Sequence, residues 1–317
     1  MTRKFPLQLD VIKLETELGI CQTLAITLTE PSDLIKTTIL PDLKSKIPQD
    51  LDFNQGVILY GMSPIWLYGC LVECCRNAPW IACYDVRSQK AVVVKSNIQT
   101  LAVGDTISII FNRTPGIAIL IGGPPDSGKS VFSYALRRSL LEKDKNLKVF
   151  IHRANWDGEG NWVLEMSDRQ VAKDLKKENT RRVHELENAE ELMKNYFNSH
   201  AKAIKNIRDV MDIVLVDVGG MVQDEKKPIL EQCSHYVIIS RCQEKVGKWH
   251  DFCGDLKPVV VIHSVLEEKL VRLENEDYLE VVAGRWITAE TVRVPDIIVE
   301  RVLGCCRGEK GLIFGRC

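Results

Sequence analysis

Residues 123–130 read Gly-Pro-Pro-Asp-Ser-Gly-Lys-Ser, the G-x-x-x-x-G-K-[ST] spacing of a loop that cradles nucleotide phosphates. That spacing carries structural meaning only where a buried strand enters the loop and a helix leaves it. Both are present: Gly116-Ile-Ala-Ile-Leu-Ile121 is a short apolar run suited to a central parallel strand, and 131–141 has an apolar face at helical period. In that setting the backbone N–H groups of Gly123, Ser127, Gly128, Lys129, Ser130 and Val131, with the positive helix end, face the phosphates of ATP. Lys129 then reaches the outer phosphates, and the Ser130 hydroxyl is placed to take a magnesium ion.

A second oxygen ligand for magnesium is expected at Asp217, which closes the apolar run 211–217. An acidic residue ending a buried strand is common in α/β proteins; its company with a phosphate loop singles this one out. Gly219 and Gly220 follow and let the backbone pass close to a terminal phosphate. No N/T-K-x-D signal for guanine appears after the later strands, so ATP is expected rather than GTP.

A chain of 317 residues exceeds the usual single-domain size. The turn-rich Asn112-Arg-Thr-Pro-Gly116 precedes the phosphate-loop strand and sets the expected domains at 1–112 and 113–317. A net charge of −1 gives no general attraction to duplex nucleic acid. The N-terminus has no apolar signal core, and no run reaches about 18 apolar residues, so a cytoplasmic protein without membrane contact is expected. The eleven cysteines are odd in number and are expected as reduced thiols. Cys70 and Cys74, four apart on a predicted helix, lack partners at zinc spacing and are taken as small core residues.

In the first domain, short strands are predicted at 24–28, 56–60, 80–84, 91–95 and 106–111, with helices at 33–39 and 64–75. Ser63 is placed to cap the second helix and Pro64 to open its first turn. The mixture implies a small α+β sandwich with helices on one sheet face. Tryptophans 66 and 80 are taken as core anchors, with adenine stacking as the lesser option. In the second domain, runs at 149–152, 213–217, 236–240 and 259–263 are predicted as central strands of an α/β, mainly parallel sheet. The charged stretch 168–209 is predicted as amphipathic helix, or else as a lid whose Arg181 or Arg182 meets the terminal phosphate. Asp157 and Glu159, in the loop after the first of these runs, 149–152, are candidates to orient a water or an acceptor hydroxyl.

Gly56-Val-Ile-Leu-Tyr-Gly61 with Pro64-Ile-Trp66-Leu67, then Trp80-Ile-Ala-Cys-Tyr84-Asp85-Val-Arg87, Ala91-Val-Val-Val94 and Gly104-Asp105-Thr-Ile107, resemble the Csx-three type CRISPR-associated ring nucleases. Some members fuse this small domain to a P-loop "AAA" ATPase with a similar phosphate loop. The resemblance implies a CARF-related fold and a role in type III CRISPR immunity. It implies binding of cyclic tetra-adenylate, opening of that ring to end antiviral signalling, a manganese requirement, and a homo-oligomer (dimer or tetramer) that sandwiches the ligand. Asp85 and Arg87 fall on the family's D-x-R pair: a carboxylate can hold a cation, and a guanidinium can clamp a phosphate.

The family's histidines are replaced by Arg76 and Asn97, and all six histidines of the chain lie beyond residue 150. Val86 and Ser88-Gln89-Lys90 also depart from the family turn. The first domain thus has no imidazole of its own to activate a ribose 2′-hydroxyl or protonate the leaving 5′-oxygen. Ring opening persists if confinement of the ring, with Arg76, Arg87 or Lys90 stabilising charge, supplies the rate. Alternatively the domain senses the ring without cleaving it and passes the event to the ATP site, or the second domain donates a histidine. A P-loop kinase for a small metabolite is the reading from a different class; it leaves the first-domain motifs unexplained.

Overall fold

The computed structural model describes residues 5–30, 35–155, 170, 188–286 and 292–314, which divide into two compact units, Met1–Thr114 and Pro115–Cys317. Arg181, Arg182, Asp157 and Glu159 lie outside the described residues.

The first unit begins with a hairpin of β1 (Leu7–Thr16) and β2 (Gly19–Leu28), paired along their whole length from Leu7↔Leu28 to Thr16↔Gly19. After a 3-10 turn at Thr37–Ile39 and the one-turn helix α1 (Leu40–Leu43) comes β3 (Val57–Tyr60). Helix α2 (Ile65–Cys74), β4 (Trp80–Asp85), β5 (Lys90–Ser96) and β6 (Thr106–Ser108) complete the unit. Strand order follows the chain; the β2–β3 and β3–β4 pairs are parallel, and the β1–β2, β4–β5 and β5–β6 pairs are antiparallel.

Two cores divide the side chains of β3 by the period of two that a strand imposes. Val57 and Leu59 join Leu24, Ile26, Leu67, Leu71 and Ile81 on the helix-covered face, whereas Ile58 joins Ala82, Ala91, Val93, Ile107 and Ile109 on the other. Burial of both faces explains the unbroken apolar run at 57–59. The second face is covered by the sheet itself. Past β6 the chain returns to β1, where Ile109 bridges Thr16 and the Ile110 N–H donates to the Glu15 carbonyl (2.9 Å). Helix α2 starts one residue later than expected: Pro64 is its N-cap, and the Ser63 hydroxyl is buried without capping it.

The second unit is a seven-stranded sheet in the order β12-β13-β11-β10-β7-β9-β8. Its elements are β7 (Ile117–Gly122), α3 (Lys129–Lys143), β8 (Val149–Arg153), α4 (Ala189–Arg208), β9 (Ile213–Asp217), α5 (Lys227–Leu230), β10 (His235–Ser240), α6 (Gln243–Cys253), β11 (Lys257–Ser264), β12 (Lys269–Leu273), β13 (Leu279–Gly284) and α7 (Asp296–Phe314). Only β12 runs antiparallel to its neighbour. Helices α3 and α7 cover one face through Phe132, Leu136, Leu140, Ile298 and Val302. Helix α4 packs on β7 and β9 and buries Phe197, Ala201, Ile204 and Ile207, so residues 189–208 of the charged stretch form an amphipathic helix on the sheet. The molecule therefore pairs a small α+β unit with an α/β, mainly parallel unit. Among the described residues no helix is long and apolar enough to cross a membrane.

Candidate functional site

From β7 the chain passes to β8 on one side and later to β10 on the other, so β7 is where the strand order reverses. In doubly wound sheets that crevice, at the carboxyl strand ends, is where ligands bind. The phosphate loop occupies it. At Gly123 φ is 143°, and a Cβ there would stand 2.0 Å from the Ile239 carbonyl oxygen, so only glycine turns the chain off β7. Gly128 caps α3, and the first intrahelical bond is donated by Phe132 N–H to the Gly128 carbonyl (2.9 Å). The amides of Lys129, Ser130 and Val131 thus precede the helical ladder at its positive end. Val131 also packs its side chain on the core below.

The side chains converge as their spacing requires. Buried Lys129 curls into the loop, its ammonium donating to the Pro124 carbonyl (2.7 Å) and lying 3.5 Å from the Ser127 hydroxyl. Ser130 Oγ donates to Asp217 Oδ2 (2.8 Å), and Asp217 Oδ1 accepts the Gly219 N–H (3.2 Å). This contact across 87 residues exists because β9 is the immediate neighbour of β7, with Ile121 opposite Asp217. A hydroxyl and a carboxylate oxygen form a hard-donor pair that suits magnesium, which draws its remaining ligands from water and phosphate.

Sequence reasoning left three contributors to this region unassigned. Arg153, the last residue of β8, donates from Nη2 to Ser130 Oγ (3.3 Å). Trp286 underlies the loop: it stacks edge-on to Phe132 with centroids 5.3 Å apart and abuts Gly128. Lys226, in the loop after β9, is 2% exposed, and its ammonium donates to the Met221 carbonyl (2.6 Å) and lies 5.8 Å over the Phe197 ring. Burial pushes its pKa down to about 8, helped by the Lys129 charge and opposed by Asp217 and Glu225. The signal for Arg153 was its place at a strand end facing the crevice. A lysine in a polar loop carries no comparable signal, because nothing local announces that it will be buried.

In the first unit, Asp85 and Arg87 share one turn. Asp85 Oδ1 accepts the Arg87 N–H (3.2 Å), the Ser88 hydroxyl donates to the Asp85 carbonyl (3.3 Å), and Arg87 is exposed. Lys90, opposite Asp85, opens β5 beside them. Arg76 is not brought there. It follows α2, four residues before Trp80, at the opposite end of β4, a strand spanning roughly 17 Å at the usual rise. Its guanidinium pairs with exposed Glu73 (2.9 Å). Asn97 stands at that same far end, its N–H on the Pro79 carbonyl (2.8 Å). Tryptophans 66 and 80 pack against the cores. The aromatics at the Asp85 end are Tyr60, Tyr84 and Phe111, with ring centroids 4.9 to 6.4 Å apart.

The manganese expected from the resemblance finds no donor set at this turn. Among the described residues no group of three or more histidine, cysteine or acidic side chains is placed to hold a metal. The thiols of Cys75 and Cys83 are pushed up by burial, to about 12 and about 11, and serve the core.

Residues 28–108 match the family model of the CRISPR-associated protein (Cas_csx3). An uncharacterized protein of Aquifex aeolicus (strain VF5) is 37% identical over 78 residues, 23% of this chain and 70% of that one. Solved structures offer more distant likenesses. A putative plasmid partition protein from Borrelia burgdorferi B31, bound to AMPPNP, is 13% identical over 62% of this chain and 100% of its own, with a TM-score of 0.37. A GTPase from Pyrococcus abyssi in apo form is 13% identical over 46% of this chain, which spans 66% of the GTPase, with a TM-score of 0.32. Chloroplast FtsY from Physcomitrella patens is 10% identical over 50% of this chain and 52% of its own, with a TM-score of 0.28.

Proposed function

We propose that this chain, which belongs through residues 28–108 to the CRISPR-associated Csx-three family, binds and opens a cyclic oligoadenylate with that domain and binds ATP and magnesium with its phosphate loop. The observation that carries the first half is the family match itself, which takes in β3 to β6 and the Asp85–Arg87 turn. A ring of four adenylates presents phosphates for the Arg87 guanidinium and Lys90, and bases for the partly exposed faces of Tyr60, Tyr84 and Phe111. Ring opening joins a ribose 2′-oxygen to the neighbouring phosphorus and breaks its bond to the 5′-oxygen, leaving a cyclic phosphate and a 5′-hydroxyl. The proton lost by the first oxygen matches the one gained by the second.

With no imidazole in the first unit, in-line confinement and charge stabilisation by Arg87 carry the rate. Arg76 and Asn97 lie a strand length from Arg87 in one copy, so a ring that met both sets of residues would have to be held between two copies, in the ligand-bridged homo-oligomer that the resemblance implies. At the second unit, Ser130 and Asp217 would hold magnesium, Lys129 and the loop amides the phosphates. Bound magnesium neutralises phosphate charge.

Chromatography of cyclic tetra-adenylate incubated with the purified chain tests the first half. Linear adenylates are expected, with a rate falling roughly 10²-fold in Arg87→Ala, the scale of losing one charge-stabilising donor. A ring that stays intact but tightly bound makes the domain a sensor. Neither binding nor cleavage would reject a cyclic-oligoadenylate ligand.

A further inference from the structure

We infer that Lys226 is a second phosphate-binding cation of the ATP site, one that recognises the terminal phosphate; this rests on the ATP function proposed above. A lysine that is 2% exposed is rare, because taking an ammonium out of water is costly unless a charge or a full set of acceptors receives it. Here the groups its ammonium touches among the described residues are one carbonyl, that of Met221, and the face of Phe197, both neutral, while the Asp217 and Glu225 carboxylates act on it without an ion-pair contact.

The place of Lys226 in the fold argues for a ligand rather than a strut. It is carried by the loop that leaves β9 just past Asp217, and this loop lies directly on the phosphate loop: a Cβ on Gly220 would stand 2.4 Å from Pro125 N. Both Lys129 and Asp217 act electrostatically on its ammonium. Lys129 serves the site from within the phosphate loop, whereas Lys226 approaches from the Asp217 side, where a terminal phosphate and its magnesium would stand. An oligophosphate supplies negative charge for both ammoniums, each of which now donates to a neutral backbone carbonyl, and a flexible four-carbon stem lets Lys226 exchange the Met221 carbonyl for a phosphate oxygen. Residues 218–226 then report whether the third phosphate is present.

Calorimetric titration of the full chain with ATP and with ADP, each with magnesium, tests this. Replacing Lys226 by methionine should weaken ATP binding about 10- to 100-fold, the range for a lost charged hydrogen bond, and ADP binding less than about threefold. Lys226→Arg should recover part of the ATP preference, which a merely structural role would not predict. Lys226→Gln keeps a donor for the Met221 carbonyl and carries the same comparison should the methionine variant not fold. Equal losses for ATP and ADP, or no loss for either, overturn the inference while leaving the ATP site standing. A wild-type chain that binds neither nucleotide rejects the ATP site, and this inference with it.

Discussion

At the residue scale, the two lysines assigned to the proposed ATP site show how differently side chains announce themselves. Lys129 is legible because its role depends on five neighbours in sequence, and the buried ammonium on the Pro124 carbonyl stands where that spacing puts it. Lys226 depends on Phe197 and Met221 and on a loop fold that brings it toward Asp217, so no window of sequence holds the information. Its depressed pKa has consequences of definite sign. An unfolded lysine titrates near 10.4, so between about pH 8 and that value the unfolded chain holds a proton that the native one lacks. This group therefore costs stability below pH 8, and the cost is relieved as the pH rises through the window. ATP affinity should move the other way, falling as the pH rises through about 8 and the ammonium is lost, with Lys129, Asp217 and Glu225 as the charges that set the midpoint. ATP titrations across that range should show the fall in the wild type and its absence in Lys226→Arg, whose guanidinium stays charged. The same scale separates Arg87 from Arg76. Both are basic residues near a D-x-R turn in sequence, but a strand of six residues sets them apart.

At the element scale, strands buried on two faces were readable and exposed ones were not. The runs at 213–216 and 236–239 are unbroken and apolar because β9 and β10 lie in mid-sheet with both faces covered, and polar Asp217 and Ser240 come only at their carboxyl ends. Strand β12 shows no such pattern: Lys269 to Arg272 are exposed at the sheet edge, where pairing with β13 decides the conformation. The long β1–β2 hairpin was only half legible for a similar reason, since most of β1 is partly exposed. Helix α2 began late because Pro64 adopts extended backbone, with ψ at 148°, and thereby becomes the cap itself. The phosphate loop is an element too, held from outside by Ile239 and Trp286. Gly123→Ala should strain it, since φ of 143° and an oxygen 2.0 Å from the new Cβ both oppose the substitution. A loss of roughly 1–3 kcal/mol is expected in denaturant unfolding, together with loss of ATP binding in the variant that still folds.

At the scale of the whole molecule, the chain divides between Thr114 and Pro115 into units whose cores share no strand. The phosphate loop and the Asp85–Arg87 turn belong to different units, so their ligands should bind separately. Lys129→Ala should abolish ATP binding while cyclic tetra-adenylate still binds; loss of both in a folded variant would reject two independent sites. Light scattering should also show the mass of the wild-type particle rising when the cyclic ligand is added, as a ligand held between copies requires, and an unchanged mass would count against bridging. The alternation of strands and helices, the phosphate loop and its carboxylate were determined by the sequence itself, because each rests on hydrophobic period or on residue types a few positions apart. The tertiary structure alone decided that Ser130 reaches Asp217, that the first sheet curls until Ile109 meets Thr16, that Arg76 stands away from Arg87 and that Lys226 is buried. These depend on which strands become neighbours and on how far the sheet twists, and both are settled by packing between segments remote in the chain.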